Sequence, residues 1–125
     1  MYKRQAVVTG TGVGGILTLE EQWTIYQEKG PRAVSPFFVP SMMANAIAGH
    51  ASIICGFAGV NINLTTACAA GTHAIGEAAR LIWDGTADIV LSGGAEAGVT
   101  PLVVSAFARM GALSTRNDDP TLASR

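Results

Sequence analysis

Cys68 stands in Asn61-Ile62-Asn63-Leu64-Thr65-Thr66-Ala67-Cys68-Ala69-Ala70-Gly71-Thr72-His73, with β-branched and apolar residues before it and small, helix-forming residues after it. That change of composition predicts a strand handing over to a helix, with the thiol at the helix N-terminus. There, unpaired N–H groups and the helix dipole favour a thiolate, and the chemistry on offer is nucleophilic catalysis. A free cysteine is also among the most buried residue types and packs readily as a small hydrophobe, so spacing alone leaves both readings open. Ala67, Ala69, Ala70 and Gly71 favour the nucleophile, because small neighbours leave space at the sulfur where core packing would place bulk.

Other residues with chemical potential read differently. His73 follows Cys68 by five residues, about 140° around a helix, and is poorly placed to act as its base. His50, in a helix of small residues, reads as structural, and Cys55, in Ile53-Ile54-Cys55-Gly56-Phe57, reads as core. Gly10-Thr11-Gly12-Val13-Gly14-Gly15 is a literal G-x-G-x-x-G between an apolar strand and a helix, the setting in which a dinucleotide-binding fold brings backbone close to a pyrophosphate. Such a fold also needs an acidic residue about twenty residues on. Arg32, Ser35 and Pro36 occupy that region, so no nucleotide is expected.

The elements that must position these residues follow from periodicity and breakers. Gln5 to Thr9 predicts a buried strand, and Leu19 to Lys29 a polar-faced helix ended by Gly30-Pro31. Arg32 to Pro40 reads as a proline-punctuated loop, followed by a small-residue helix from Ser41 to Cys55, with Gly56 and Gly59 as breakers. Asn61 to Thr66 predicts a strand, Ala69 to Asp84 a helix and Ala87 to Ser92 a second buried strand, together a parallel βαβ unit. A further helix starts with Pro101 in its first turn, and a polar loop runs from Ser114.

Composition narrows the class. A chain of 125 residues with 49% hydrophobic and 14% charged residues suits one soluble domain, residues 1–125, with a large buried core. A net charge of −1 without a basic stripe argues against nucleic acid. Two cysteines thirteen residues apart form neither a disulfide framework nor a metal spacing, which favours a reducing cytoplasm, and no metal or cofactor is expected. Lys3, Arg4 and Ala6-Val7-Val8 could open a signal peptide, but the glycines from Gly10 to Gly15 interrupt its apolar core, and no stretch is long enough for a membrane span. The sequon Asn63-Leu64-Thr65, in an expected buried strand, reads as chance.

The segment Thr66-Ala67-Cys68-Ala69-Ala70-Gly71-Thr72-His73-Ala74-Ile75-Gly76-Glu77-Ala78-Ala79-Arg80-Leu81-Ile82 resembles the active-site segment of the elongating β-ketoacyl-acyl-carrier-protein synthases, the condensing enzymes of type II fatty acid synthesis. So do Gly30-Pro31-Arg32, Ser35-Pro36-Phe37-Phe38-Val39-Pro40, Asn45 with Ala48-Gly49-His50, Ala87-Asp88-Ile89-Val90-Leu91-Ser92-Gly93-Gly94-Ala95-Glu96-Ala97 and Ala112-Leu113-Ser114-Thr115-Arg116-Asn117-Asp118, in this order. The similarity runs from about Val8 to Arg125; Met1 to Arg4 do not share it. Val60, where the family usually has proline, and Ala70, where a small polar residue is common, are departures that leave the reacting atom untouched.

The resemblance implies a layered α/β/α/β/α thiolase-like fold, of which this chain is a partial repeat, a fragment from the N-terminal half of a ketosynthase domain. It implies decarboxylative Claisen condensation, with Cys68 as nucleophile and its backbone N–H as one oxyanion-hole donor. Val13, Phe38 and Phe107 match positions lining the acyl pocket or its approach, with aromatic core packing as the alternative for the two phenylalanines. Arg32 matches a basic position near the docking surface for acyl carrier protein, with a solvated surface arginine as an equal reading of the sequence alone, and Glu96 reads as structural. A homodimer is implied through the strand Asn61 to Thr65. The family's two catalytic histidines and its lysine lie later in the polypeptide, so the fragment is expected to be inactive alone. A polyketide ketosynthase, a thiolase relative and a non-catalytic interaction module are the alternative readings.

Overall fold

A computed structural model describes residues 4–124. Met1 to Lys3 and Arg125 lie outside the described residues, so of the start expected to be atypical, Met1 to Arg4, only Arg4 is described. That residue is woven into the fold: its guanidinium donates to both Asp88 carboxylate oxygens at 2.6 and 2.7 Å, and its carbonyl accepts the Asp88 N–H.

The apolar run Ala6-Val7-Val8 gives β1 (Gln5–Gly10), buried at every residue after Gln5. Such a run suits a strand paired on both edges. β2 (Asn61–Leu64) and β3 (Ile89–Gly94) flank it in an all-parallel sheet of order β2-β1-β3, with Val8 opposite Ile62 on one side and Ser92 on the other. The expected parallel βαβ unit is β2, α4 (Ala70–Trp83) and β3. Its strands are not neighbours, however, because β1 takes the place between them.

α4 presents Ala70, Ala74, Ala78 and Leu81 at helical spacing. Three of these, Ala74, Ala78 and Leu81, join Ala6, Val8 and Ala87 in the main core. α3 (Ala46–Cys55) contacts β1 and β2, buries Ala48 completely and accepts, through the Ala48 carbonyl, a 2.8 Å hydrogen bond from the Asn61 amide. Strand alternation sends Val7 and Thr9 to the face opposite Ala6 and Val8, so the layers run helix, sheet, helix.

The large core expected from composition is not formed within these residues. Six of the nine buried apolar side chains are alanine, whereas Trp83 is 84% exposed and Ile54 83%. Three strands with one helix packed on each face offer too little area to cover the larger apolar groups.

Several boundaries differ from expectation: β2 ends at Leu64 rather than Thr66, and β3 runs from Ile89 to Gly94 rather than from Ala87 to Ser92 and, as an edge strand, is only partly buried instead of buried throughout. α1 (Ile16–Lys29) starts a turn early, directly after the glycine-rich turn, and ends as expected at Gly30, whose φ is +78°. The expected loop from Arg32 to Pro40 contains a 3-10 turn, Pro31–Ala33, and runs into α2 (Phe38–Met42). Pro40 is tolerated at the third position of α2, where a backbone N–H has no intrahelical acceptor to lose. The single helix expected from Ser41 to Cys55 is broken at Met43, which is extended (ψ 134°), and resumes as α3. α5 (Pro101–Arg109) has proline in its first turn, with the Thr100 hydroxyl accepting the Val103 N–H at 3.2 Å. That hydroxyl also donates to the Glu20 carboxylate at 2.6 Å, tying α5 to α1. Beyond Ser114 the chain is irregular except for the 3-10 turn Pro120–Leu122.

Candidate active site at the turn between β2 and α4

The small-residue composition after Thr66 produces a tight reversal rather than a direct entry into the helix. Cys68 lies in a 3-10 turn, Ala67–Ala69, that runs without a break into α4, and the thiol residue is exposed. Ala67, immediately before it, has φ +50° and is the one non-glycine residue with positive φ among the described residues. An L-residue pays about 1–2 kcal/mol for this left-handed conformation. Strain of this kind persists where surrounding contacts over-determine the backbone. Here the Ala69 N–H donates to the Thr66 carbonyl at 3.1 Å, and the Leu64 carbonyl at the end of β2 accepts the Thr11 N–H at 3.0 Å.

The small neighbours of Cys68 have a packing reason as well as the one expected. Ala70 is buried, and its carbonyl lies so close to Gly10 that a β-carbon there has no room. Gly71 faces the backbone of Gly94 at 3.6 Å from the position of its own missing β-carbon. Alanine and glycine at 70 and 71 therefore bring the start of α4 onto the C-terminal ends of β1 and β3, and the space at the sulfur arises beside that contact.

The glycine-rich turn after β1 is occupied by the chain itself. Glu96 Oε2 accepts the N–H groups of Gly12 at 2.5 Å and Val13 at 2.8 Å, and Oε1 accepts that of Gly14 at 3.3 Å. Burial works to raise the Glu96 pKa, but these N–H donors and the Thr11 hydroxyl outweigh it and hold the carboxyl below its ordinary value. The turn thus uses its anion-binding geometry on an internal carboxylate, which explains why the dinucleotide pattern appears without its distal acidic partner. A β-carbon on Gly12 would come within 2.8 Å of the carboxylate, and one on Gly15 within 2.5 Å of the Ser41 carbonyl oxygen. Glu96 is the residue whose part the sequence understated. Its signal was a lone carboxylate among the small residues Gly93, Gly94, Ala95 and Ala97, at the end of a strand.

The expected site residues distribute unevenly. Val13, 61% exposed, sits on the Glu96-bound turn, and Gly12 beside it lies against the Ala67 backbone, so turn and cysteine are adjacent. Phe38 is half-buried in a groove of about 310 Å³ with Leu19, Trp23 and Tyr26, where the two larger rings stack at 5.6 Å. Phe107 is 42% exposed on α5, and Arg32 is exposed in its 3-10 turn, without an ion pair among the described residues. A second cavity, about 290 Å³, lies beside Glu96, Thr11 and Ile47, and neither phenylalanine lines it.

The remaining chemical residues resolve simply. His73 Nδ1 pairs with the Thr66 hydroxyl at 3.3 Å, bracing the approach to the turn. His50 is exposed on α3. Cys55, expected in the core, is exposed: as the last residue of α3 it lies beside Gly56, where the chain leaves the helix on its way to β2. Asn63 of the sequon is engaged with Thr9 and Thr65. Among the described residues no group of acidic, histidine or cysteine side chains is arranged to hold a metal, and no helix is long and apolar enough to cross a membrane.

Comparison with known proteins agrees with this geometry. The family model described as "Beta-ketoacyl synthase, N-terminal domain" matches residues 2–125, so Tyr2 to Arg4, expected to fall outside the family, lie within it. The 3-oxoacyl-(acyl-carrier-protein) synthase 2 of Vibrio cholerae is 52% identical over 122 residues, covering 98% of this chain and 30% of the relative. A mitochondrial 3-oxoacyl-(acyl-carrier-protein) synthase of Arabidopsis thaliana is 43% identical over 124 residues, covering 98% and 27%. A solved β-ketoacyl synthase from Burkholderia phymatum superposes with TM-score 0.79 at 30% identity, covering 95% of this chain and 29% of that one. A chain from a solved complex of a type II PKS acyl-carrier protein with its ketosynthase, bound to the hexaketide, superposes with TM-score 0.81 at 26% identity, covering 91% and 33%. The present chain therefore spans about 30% of the length of such relatives, and its helix, sheet and helix layers form part of their thiolase-like architecture. With a family model of the N-terminal domain matching nearly its whole length, the chain belongs to the β-ketoacyl synthase family.

Proposed function

We propose that these residues carry the nucleophile of a β-ketoacyl-acyl-carrier-protein synthase that elongates fatty acyl chains. The observation that carries the reading is the exposed thiol of Cys68 directly after the left-handed Ala67, at the head of α4. In the reaction, the Cys68 sulfur attacks the carbonyl carbon of an acyl thioester on acyl carrier protein, and the carrier's thiol leaves. A malonyl thioester then loses carbon dioxide, its carbanion attacks the Cys68-bound acyl carbon, and the Cys68 sulfur is expelled as the β-ketoacyl thioester forms. The backbone N–H of Cys68 is assigned to one half of the oxyanion hole, where a fixed donor stabilises developing negative charge.

Val13, next to the cysteine turn, is assigned to the acyl pocket. Phe38, in its groove with Trp23 and Tyr26, and Phe107, part-exposed on α5, are assigned to its approach. Arg32, an exposed cation, is assigned to docking of the carrier protein. The free edge of β2 supports a homodimer paired through Asn61 to Thr65, since an open edge offers unpaired N–H and carbonyl groups to a second strand. A cytoplasmic setting fits two free cysteines. Identity of 52% to a 3-oxoacyl-(acyl-carrier-protein) synthase, against 26% to the type II PKS complex, favours fatty acid over polyketide chemistry.

The test is acyl transfer alone. Residues 1–125 are incubated with acyl-carrier protein and read by intact mass. An acyl adduct that survives Cys55→Ser and disappears with Cys68→Ser supports the assignment; an adduct that follows Cys55 overturns it.

A further inference from the structure

The Glu96 carboxylate is the only side chain that gathers three successive backbone N–H groups of the glycine-rich turn among the described residues, and it does so across more than eighty positions of sequence. The turn it holds is sandwiched: Gly10 against the Ala70 carbonyl, Gly12 against the Ala67 backbone, and Gly15 against Ser41 and Met42. Each neighbour on the Cys68 side belongs to the same short segment, Ala67 to Ala70. The turn therefore runs beside the segment that carries the thiol, and Val13, exposed and with its N–H bound to Glu96, is the one large apolar side chain on it.

Backbone bonds hold the ends of the turn, from the Thr11 N–H to the Leu64 carbonyl and from the Gly15 N–H to the Met42 carbonyl, and Glu96 holds the three residues between them. No ion pair involves Glu96 among the described residues, so its charge is committed to the N–H groups rather than to a surface cation. Hydrogen bonds to a charged acceptor are roughly twice as strong as neutral ones, and three on one group define its position on three backbone atoms. The alternative, that Glu96 only stabilises the fold, predicts that its loss lowers stability without changing how apolar groups of different length reach Cys68.

We propose that Glu96 is a positioning residue: by clamping Gly12, Val13 and Gly14 it sets the place of Val13 beside Cys68 and thereby the preference of the thiol for the length of an incoming acyl chain. The proposal rests on the reading of Cys68 as the acyl-accepting thiol.

The test uses residues 1–125 and a series of N-alkylmaleimides, from methyl to octyl, with the rate of modification at Cys68 followed by peptide mass spectrometry. The readout is the ratio of octyl to methyl rates, which cancels changes in the thiol itself. Two variants release the clamp by different means. Glu96→Gln replaces a charged acceptor by an amide that turns a donor toward one N–H, and Gly12→Ala places a β-carbon against the carboxylate while leaving Glu96 in the chain. Both are expected to shift the ratio about tenfold, the value of roughly two methylenes gained or lost from apolar contact, with far-ultraviolet circular dichroism unchanged. A ratio unchanged in both folded variants overturns the proposal. Should either variant fail to fold, amide exchange in the unaltered chain decides: protection of Gly12, Val13 and Gly14 at neutral pH is expected, and exchange at unprotected rates overturns the proposal. If Cys68 is not modified in the unaltered chain, the reading of Cys68 falls instead, and the exchange measurement still judges the clamp.

Discussion

Gly10, the last residue of β1, and Ala70, the first residue of α4, approach so closely that a β-carbon on Gly10 would run into the Ala70 carbonyl group. The contact joins the central strand to the helix that follows Cys68. It is backbone against backbone, so no side chain can rotate to relieve a clash.

Gly10→Ala is expected to destabilise the chain by about 2–3 kcal/mol, as overpacking at a rigid contact does. Gly76→Ala, in the same helix but with open space around the missing β-carbon, is expected to stabilise it by about 0.5–1 kcal/mol, the difference in helix propensity. Urea unfolding of the two variants beside the parent measures both. Equal effects would show that α4 does not rest on β1 as described.

Ala67→Gly is expected to gain stability through relief of the left-handed conformation. Most of the gain is offset by the greater freedom of glycine in the unfolded chain, leaving a net change of about 0.5 kcal/mol. Ala67→Val is expected to lose more than about 1 kcal/mol, because a β-branched residue tolerates positive φ least. Thermal unfolding separates the two. A stabilising valine would refute the left-handed assignment at position 67.

Acid tests the Glu96 clamp. Since the folded-state pKa of Glu96 lies below its ordinary value of 4.5, its stabilisation is complete above pH 4.5 and is lost as pH falls through the lower folded value. Hydrogen bonds from Arg80, Thr86 and Arg4 likewise lower Glu77, Asp84 and Asp88 respectively. These groups are common to the parent and to Glu96→Gln, so the difference between the two isolates Glu96. The parent is expected to be more stable by about 1–2 kcal/mol at neutral pH, with the two curves converging below pH 4.5. Curves that stay parallel into acid would remove Glu96 from the account.

Residues 1–125 are expected to accept an acyl group on Cys68 at most slowly and to form no carbon–carbon bond. His73 is occupied with Thr66 and His50 is exposed on α3, so neither is arranged with Cys68 to stabilise a carbanion, and groups that act as a unit lose nearly all activity when part is missing. The assay supplies acyl- and malonyl-carrier protein and follows carbon dioxide and β-ketoacyl product. Turnover at rates near 1 per second, within the usual range of enzymes, would contradict the expectation.

The local features were legible in the sequence because they depend on neighbours in the chain. The apolar run from Ala6 to Val8, the change of composition around Cys68, the αL-forming Gly56 and the Thr100-Pro101 helix start each carry their own signal within a few residues. The breadth of the family match follows the same short motifs in order. Within the helix expected from Ser41 to Cys55, the break at Met43 was less visible, since no glycine or proline marks it and the Gly15 N–H bond to the Met42 carbonyl comes from another part of the chain.

Tertiary structure alone decided what the glycine-rich turn binds. A carboxylate 84 residues away from Gly12 occupies the N–H groups that the local pattern could equally have offered to a phosphate. It also decided that β1 separates β2 from β3, and that Cys55 and Trp83 stay exposed although their surroundings are apolar. Burial and long-range hydrogen bonding are properties of which elements come together. A sequence specifies the faces an element can present, but the area available to cover them is set only when the sheet and its helices are assembled.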